Sequence, residues 1–316
     1  GLPYRYEEVS DSIKNRLNKE LELIKKMGFV SYFLINWDIV SEARRREFFY
    51  VGRGSGANSI VAYLLRITDV DPMELDLYFE RFINLYRANP PDFDIDFSWK
   101  DRPAMTEYIF KRFEHVALLG TYVTFKERGV IRELGKVFGL PPQDIDFLLE
   151  GRYSLDQLDH VSKLVLKYGS LLKGKPNYLS IHAGGILISD KPLHWFSATH
   201  LPPKGFPTTQ YDMVIAEDVG LYKFDILGQR GLGKIKEALE IVAYNQPEKY
   251  GDIDIHDIKG FKKDPVINNL IKTAQCMGCF YVESPAMRML LKKLQVDNYL
   301  GLVAASSIIR PGVAKS

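Results

Sequence analysis

Pro91-Asp92-Phe93-Asp94-Ile95-Asp96-Phe97 alternates carboxylate with apolar residue. In an extended strand this alternation puts the three acids on one face and Phe93, Ile95 and Phe97 on the other. Aspartate is depleted in strands, and three on one face repel each other unless a cation or solvent separates them. Two readings follow: a solvent-washed edge strand with an apolar inner face, or a metal-binding strand. Because the ligands are all oxygen, the metal reading favours Mg²⁺ or Mn²⁺ over zinc.

Before this strand lies Gly52-Arg53-Gly54-Ser55-Gly56, between a predicted strand at Phe48 to Val51 and a helix carrying Ile60, Val61, Tyr63, Leu64 and Leu65. Strand, glycine turn and helix together predict backbone N–H groups held at a helix N-terminus, where anions bind. The glycine spacing fits the dinucleotide pattern poorly, and no Lys-Ser/Thr pair follows to make a Walker loop. What remains is either a plain connector or a phosphate cradle with the Arg53 guanidinium beside it. After the strand, Tyr222-Lys223-Phe224-Asp225 would place Lys223 and Asp225 on one strand face, which is most often a surface ion pair. Taken together, a phosphate-cradling turn, an Asp-x-Asp strand and a separate aspartate on another strand are the groups that two-metal phosphoryl transfer needs.

Helical spacing predicts helices over Val9 to Met27, Ser31 to Arg46, Asp71-Pro72 to about Ile83, and Gly233 to Tyr244. From about Met105 to Tyr178 the pattern reads as helical throughout, with breaks at Gly120, Gly139 to Pro142 and Gly151, and predicts an inserted helical domain. Short strands are expected at Gly185 to Ser189 and Leu221 to Ile226, and short helices after residue 245. The fold class expected is α/β with a mixed sheet.

The 316 residues carry 42 Lys and Arg against 40 Asp and Glu, and 46% are hydrophobic, a composition that excludes disorder. Such a length suits about two domains of ~100–200 residues. The longest apolar runs, such as Leu302 to Ile309, fall well short of the ~20 residues that span a bilayer. Two cysteines argue against a disulfide framework, so a cytoplasmic protein without a membrane is expected. A net charge of +2 requires any nucleic-acid surface to be a local patch. One such patch is Arg128, Arg132 and Lys136, four residues apart on one predicted helical face; an ordinary solvated face is the alternative. His182 lacks a partner at zinc-ligand spacing, and Cys276-Met277-Gly278-Cys279 supplies only half of a structural zinc site, so two free thiols are expected. Tyr32, Phe33 and Trp37 are expected in the core. The chain opens without Met and stops just after Arg310-Pro311-Gly312, which suggests a piece of something longer.

The ordered set of landmarks resembles the bacterial DNA polymerase III alpha subunits, the C-family replicative polymerases. It comprises Met27-Gly28-Phe29 with Tyr32-Phe33-Leu34-Ile35, Gly52-Arg53-Gly54-Ser55-Gly56-Ala57, Phe79-Glu80-Arg81-Phe82, Pro91 to Phe97, His182-Ala183-Gly184-Gly185, Thr209-Gln210-Tyr211-Asp212, Lys223-Phe224-Asp225, Glu283-Ser284 and Arg310-Pro311-Gly312. The resemblance implies a palm of the polymerase-beta nucleotidyltransferase type in residues 1–104 and 179–230, a helical thumb in 105–178 and the start of the fingers in 231–316. It implies that Asp92, Asp94 and Asp225 are catalytic and hold two Mg²⁺, with Mn²⁺ able to substitute. Asp96 is a neighbour that some relatives replace by Asn. Arg53, Gly54 and Ser55 would hold the triphosphate and Lys223 the primer phosphates; Arg128, Arg132 and Lys136 would meet DNA, and His182 would lie near the site without an assigned role. The implied activity is template-directed DNA synthesis on primer-template DNA from deoxynucleoside triphosphates. In the whole protein a sliding clamp, a proofreading exonuclease and clamp-loader subunits would be partners. The family's preceding and following domains are absent here, and its triphosphate-gripping fingers residues lie beyond Ser316, so the piece alone is expected to be inactive. The turn also lacks the proline that many relatives place before its arginine. A non-catalytic nucleic-acid-binding scaffold with a structural acidic strand is the alternative, and a dinucleotide-dependent enzyme a weaker one.

Overall fold

The computed structural model describes residues 1–84, 92–250, 253–255 and 257–309; Pro91 and Arg310-Pro311-Gly312 lie outside them. Its seven strands are β1 (Tyr50–Arg53), β2 (Asp94–Ser98), β3 (His115–Thr124), β4 (Pro176–Ser189), β5 (Thr199–His200), β6 (Thr208–Thr209) and β7 (Tyr222–Gln229). The chain divides into two compact units, one of Gly1–Met105 with the chain from Leu227 onward, the other of Thr106–Ile226. Both mix helices with strands, in keeping with the α/β class expected.

In the first unit β1 and β2 run antiparallel, with Tyr50 opposite Phe97 and Arg53 opposite Asp94. The apolar face of β2 is fully used: Phe93, Ile95 and Phe97 are each 2% exposed or less. Phe93 lies 5.2 Å from the Phe33 ring, edge to face, and 4.8 Å from Phe82, and its N–H donates to the Tyr32 hydroxyl. Tyr32 and Phe33 are therefore core, as expected, whereas Trp37 is exposed. Gly52 is required by close approach, since a Cβ there would fall 1.8 Å from the Ile67 carbonyl oxygen.

The helix Asp11–Lys26 forms where its spacing predicts, with Ser10 accepting from the Ile13 N–H as its cap. It carries one residue against the pattern. Glu20 is wholly buried, and its carboxylate accepts from Arg16 Nε (2.6 Å), Ser59 Oγ (2.8 Å), Ile60 N (3.2 Å) and Val61 N (3.3 Å). A buried charge is tolerated only when so compensated.

Two expected elements differ. Residues 71–83 form turns and a short 3₁₀ segment, Phe79–Arg81, instead of a helix. Asp71 Oδ1 accepts from the Met73 N–H and the Tyr6 hydroxyl, Asp76 takes φ +47°, and the Leu77 carbonyl accepts from Arg16, so one local and two long-range side-chain bonds displace the helical ladder.

Nor is the stretch 105–178 helical throughout, because β3 lies within its first third. Val116, Ala117, Leu118 and Leu119 are all buried, a continuous apolar run whose period does not separate strand from helix. In this second unit the order is β7-β4-β3-β6-β5, antiparallel except for the parallel β3 to β6 pair. Between β3 and β4 the chain makes three helices, Glu127–Val137, Pro142–Glu150 and His160–Leu172, packed around Ile131, Leu148, Leu158 and Val165. Among the described residues no helix is long and apolar enough to cross a membrane.

Candidate metal and nucleotide site

Each unit carries part of the predicted site, and each part is built by strand register. In the first, Asp94 and Asp96 share one face of β2, and Asp92 precedes the strand; carboxylate oxygens of Asp92 and Asp94 lie within 4.8 Å of each other. Arg53 stands directly opposite Asp94, and facing residues of an antiparallel pair share a side. Its Nη1 donates to Asp94 Oδ2 (2.9 Å) and its Nε to Asp96 Oδ2 (2.6 Å). Asp96 is 5% exposed and its Oδ1 has no hydrogen-bond partner among the described residues, so this is no solvent-washed strand.

Immediately after Arg53, Gly54 takes φ +80°, and a Cβ there would sit 3.0 Å from Asp94 Oδ2. Glycine at 54 thus serves the backbone and keeps a Cβ off the oxygen that accepts from Arg53. Residues Gly54–Asn58 wind as a 3₁₀ turn, with Asn58 Nδ2 donating to the Ser55 carbonyl. Gly56 is buried against the Phe93 ring, 2.2 Å from where its Cβ would be.

The predicted phosphate cradle needs one correction. The helix after the turn, Ile60–Leu64, starts with its N–H groups already committed: Ile60 and Val61 donate to Glu20, and Ala62 to the Ser59 hydroxyl. A helix N-terminus with its donors internally satisfied cannot also hold a phosphate. What the turn still offers is the Gly54 to Gly56 backbone and the Arg53 guanidinium. Glu20 and Arg16 were not singled out in sequence; their i,i+4 spacing was visible, but the partners at 58–61 and 77 were not.

In the second unit Gly185 pairs with Asp225 and Leu187 with Lys223 across β4 and β7. Lys223 Nζ donates to Asp225 Oδ2, and both side chains are about 10% exposed or less, so the pair is buried and not a surface one. Asp225 Oδ1 is also buried and lacks a hydrogen-bond partner among the described residues. His182 Nδ1 lies 3.9 Å from it. Instead of serving a carbonyl, that Nδ1 accepts from the N–H groups of Gly184 (3.3 Å) and Gly185 (2.8 Å).

Carboxylate-only ligands fit a hard divalent cation and not zinc. The orphaned Asp225 oxygen is a group that such a cation would satisfy, and the Asp94 oxygen that accepts from Arg53 is one for which it would compete.

Elsewhere, Arg128 and Arg132 are exposed along the helix Glu127–Val137, while Lys136 pairs with Glu133 at 2.9 Å. Both cysteines are free; Cys276 is buried, which with neighbouring Cys279 raises its thiol pKa, and Cys279 is exposed.

The comparisons cover the whole chain. Residues 1–228 match the family described as "Bacterial DNA polymerase III alpha NTPase domain", and residues 231–316 match "Bacterial DNA polymerase III alpha subunit finger domain". A protein named error-prone DNA polymerase from Symbiobacterium thermophilum is 34% identical, over 100% of this chain and 30% of its own length. Proteins named DNA polymerase III subunit alpha are 35% identical in Borreliella burgdorferi, over 99% of this chain and 28% of theirs, and 34% identical in Bacillus subtilis, over 99% and 29%. The chain therefore spans under a third of the length of these relatives.

Proposed function

Because the chain belongs to the bacterial DNA polymerase III alpha family, we propose that it forms the nucleotide-adding region of a DNA-directed DNA polymerase, a cytoplasmic enzyme extending a primer on a template. The observation that carries this reading is the facing pair of Arg53 and Asp94, with Gly54 keeping a Cβ off that carboxylate where the Gly54 to Gly56 backbone begins.

In this reading Asp92 and Asp94 from one unit and Asp225 from the other hold two Mg²⁺, or Mn²⁺ in their place. Ions bound there would lower the pKa of the primer 3′-hydroxyl and neutralise charge on the leaving pyrophosphate. Arg53, Gly54 and Ser55 orient the triphosphate. Lys223 orients the primer end, and Asp96 braces Arg53. Residues 1–104 and 179–230 serve as a palm of the polymerase-beta type, 105–178 as a thumb and 231–316 as the start of the fingers. Arg128, Arg132 and Lys136 meet duplex phosphates. The region acts within a longer subunit that engages a sliding clamp, a proofreading exonuclease and a clamp loader, and is inactive by itself.

Asp92→Ala and Asp94→Ala in the intact subunit test the assignment: primer extension is abolished while primer-template affinity persists. Near-normal extension by either variant would sink it. The Arg53 contacts to Asp94 and Asp96 favour one rival, a scaffold whose acidic strand is purely structural. That rival requires no metal-dependent extension in the intact subunit and DNA binding that EDTA leaves unchanged.

A further inference from the structure

His182 sits in an irregularity of β4 shaped around its ring. Against β3, Ile181 pairs with Gly120 and Ile186 with Leu118, so four residues, His182 to Gly185, oppose Leu119 alone. Such bulges re-aim a side chain. A Cβ at Gly185 would fall 2.9 Å from His182 Nδ1 and 3.0 Å from Leu119 Cδ2, so the glycine is the space the imidazole needs.

The ring's tautomer follows from its bonds. Gly184 and Gly185 both donate to Nδ1, which must therefore present a lone pair, and the ring proton resides on Nε2. Among the described residues Nε2 donates to none, and the side chain is 28% exposed. On the neighbouring strand, Asp225 faces Gly185, and the Lys223 ammonium is already bonded to Asp225. The imidazole, its Nδ1 3.9 Å from Asp225 Oδ1 and its proton on the outer nitrogen, is thus held beside the carboxylate that the proposed function assigns to the ions. It adds no repulsion to a cation there, and its natural acceptor is an anionic oxygen that the cation draws in.

Resting on that proposed function, we propose that His182 is a substrate-binding residue whose Nε2–H donates to a non-bridging phosphate oxygen at the reacting centre, on the primer end or on the incoming triphosphate. The ring's other nitrogen fixes the donor's direction, as an outer hydrogen bond does for a metal-ligating histidine.

Two substitutions in the intact subunit separate donor from structural roles. His182→Asn keeps an acceptor oxygen near the Nδ1 position for Gly184 and Gly185 but loses the outer donor. His182→Gln restores an N–H near the Nε2 position. The expected result is that His182→Asn lowers kcat/KM for extension about tenfold, the size of one hydrogen bond to a charged group, whereas His182→Gln recovers most of it. A primer whose last linkage is a methylphosphonate distinguishes the two phosphate sources. If the primer is the acceptor, this linkage slows the unsubstituted subunit and costs His182→Asn nothing further. If the triphosphate is the acceptor, the penalty is intact in His182→Asn and the nucleotide KM rises about tenfold. Wild-type kinetics in His182→Asn, or equal loss in Asn and Gln variants with a matching fall in thermal stability, overturns the proposal. Near-normal extension by Asp225→Asn instead sinks the underlying site assignment; the His182 variants are then judged on primer-template affinity, and an unchanged value for His182→Asn overturns the donor as well.

Discussion

Arg53 Nη1 donates to Asp94 Oδ2 at 2.9 Å across a directly facing pair of β1 and β2. The guanidinium thus occupies an oxygen that the proposed function assigns to a metal. Cation and arginine compete for that oxygen, and a triphosphate would draw the arginine away by offering it a better anion. Arg53→Met should therefore tighten Mn²⁺ binding in the absence of nucleotide, by about tenfold for release from one charge-assisted bond. Paramagnetic resonance of free Mn²⁺ measures this. Unchanged affinity in Arg53→Met, with affinity lost in Asp94→Asn, removes the competition and leaves the metal site standing.

The basic stripe of the helix Glu127–Val137 gives a graded expectation. Lys136 is engaged with Glu133, whereas Arg128 and Arg132 are exposed. If this face meets duplex phosphates, Arg128→Ala and Arg132→Ala each weaken DNA binding regardless of sequence and reduce the slope of log K against log salt by about one. Lys136→Ala has the smaller effect. Salt titrations with identical slopes for all three variants and the unsubstituted subunit mark the stripe as a plain solvated face.

Acid tests a different contact. Glu42, 9% exposed, has its carboxyl held down to about 2, first by its hydrogen bonds from Arg45 and then by Arg46, against the opposing effect of burial. A depressed carboxyl contributes stability that is fully present above its unfolded value near 4.5 and is lost as pH falls from there towards 2. Glu42→Gln should cost about 1 kcal/mol at pH 7, a figure kept small because Arg45 is largely exposed, and the difference should shrink steadily below pH 4.5. Denaturation curves at a series of pH values decide it, and a gap that stays constant down to pH 3 contradicts the assignment.

Much of the site's architecture was legible because strand alternation is a local property. Asp94 and Asp96 on one face, and Lys223 with Asp225 on another, follow from a period of two. The environment of those acids was not legible. Asp96 is buried and Lys223 pairs inside the fold because of residues from other strands, which no window of sequence contains. The spacing predicts a strand at Phe48 to Val51 where the ladder holds Tyr50–Arg53, and that two-residue difference is what makes Arg53 the partner of Asp94. The Asp71 to Ile83 stretch has helical spacing, yet its backbone is claimed by the Asp71 carboxylate and by Arg16, and that carboxylate is held by Tyr6; Arg16 and Tyr6 each lie more than sixty positions from the group they bond. In β3, burial on both faces erased the period altogether.

The engagement of Glu20 with Ser59, Ile60 and Val61 has a consequence for how the chain acquires its shape. A lone helix over Asp11–Lys26 could form early, but it could not shed water from its acid until donors some forty positions downstream arrived. Docking of that helix and closure of the glycine turn are then a single cooperative event, so during synthesis the segment stays loosely packed until the ribosome has released residues beyond Val61.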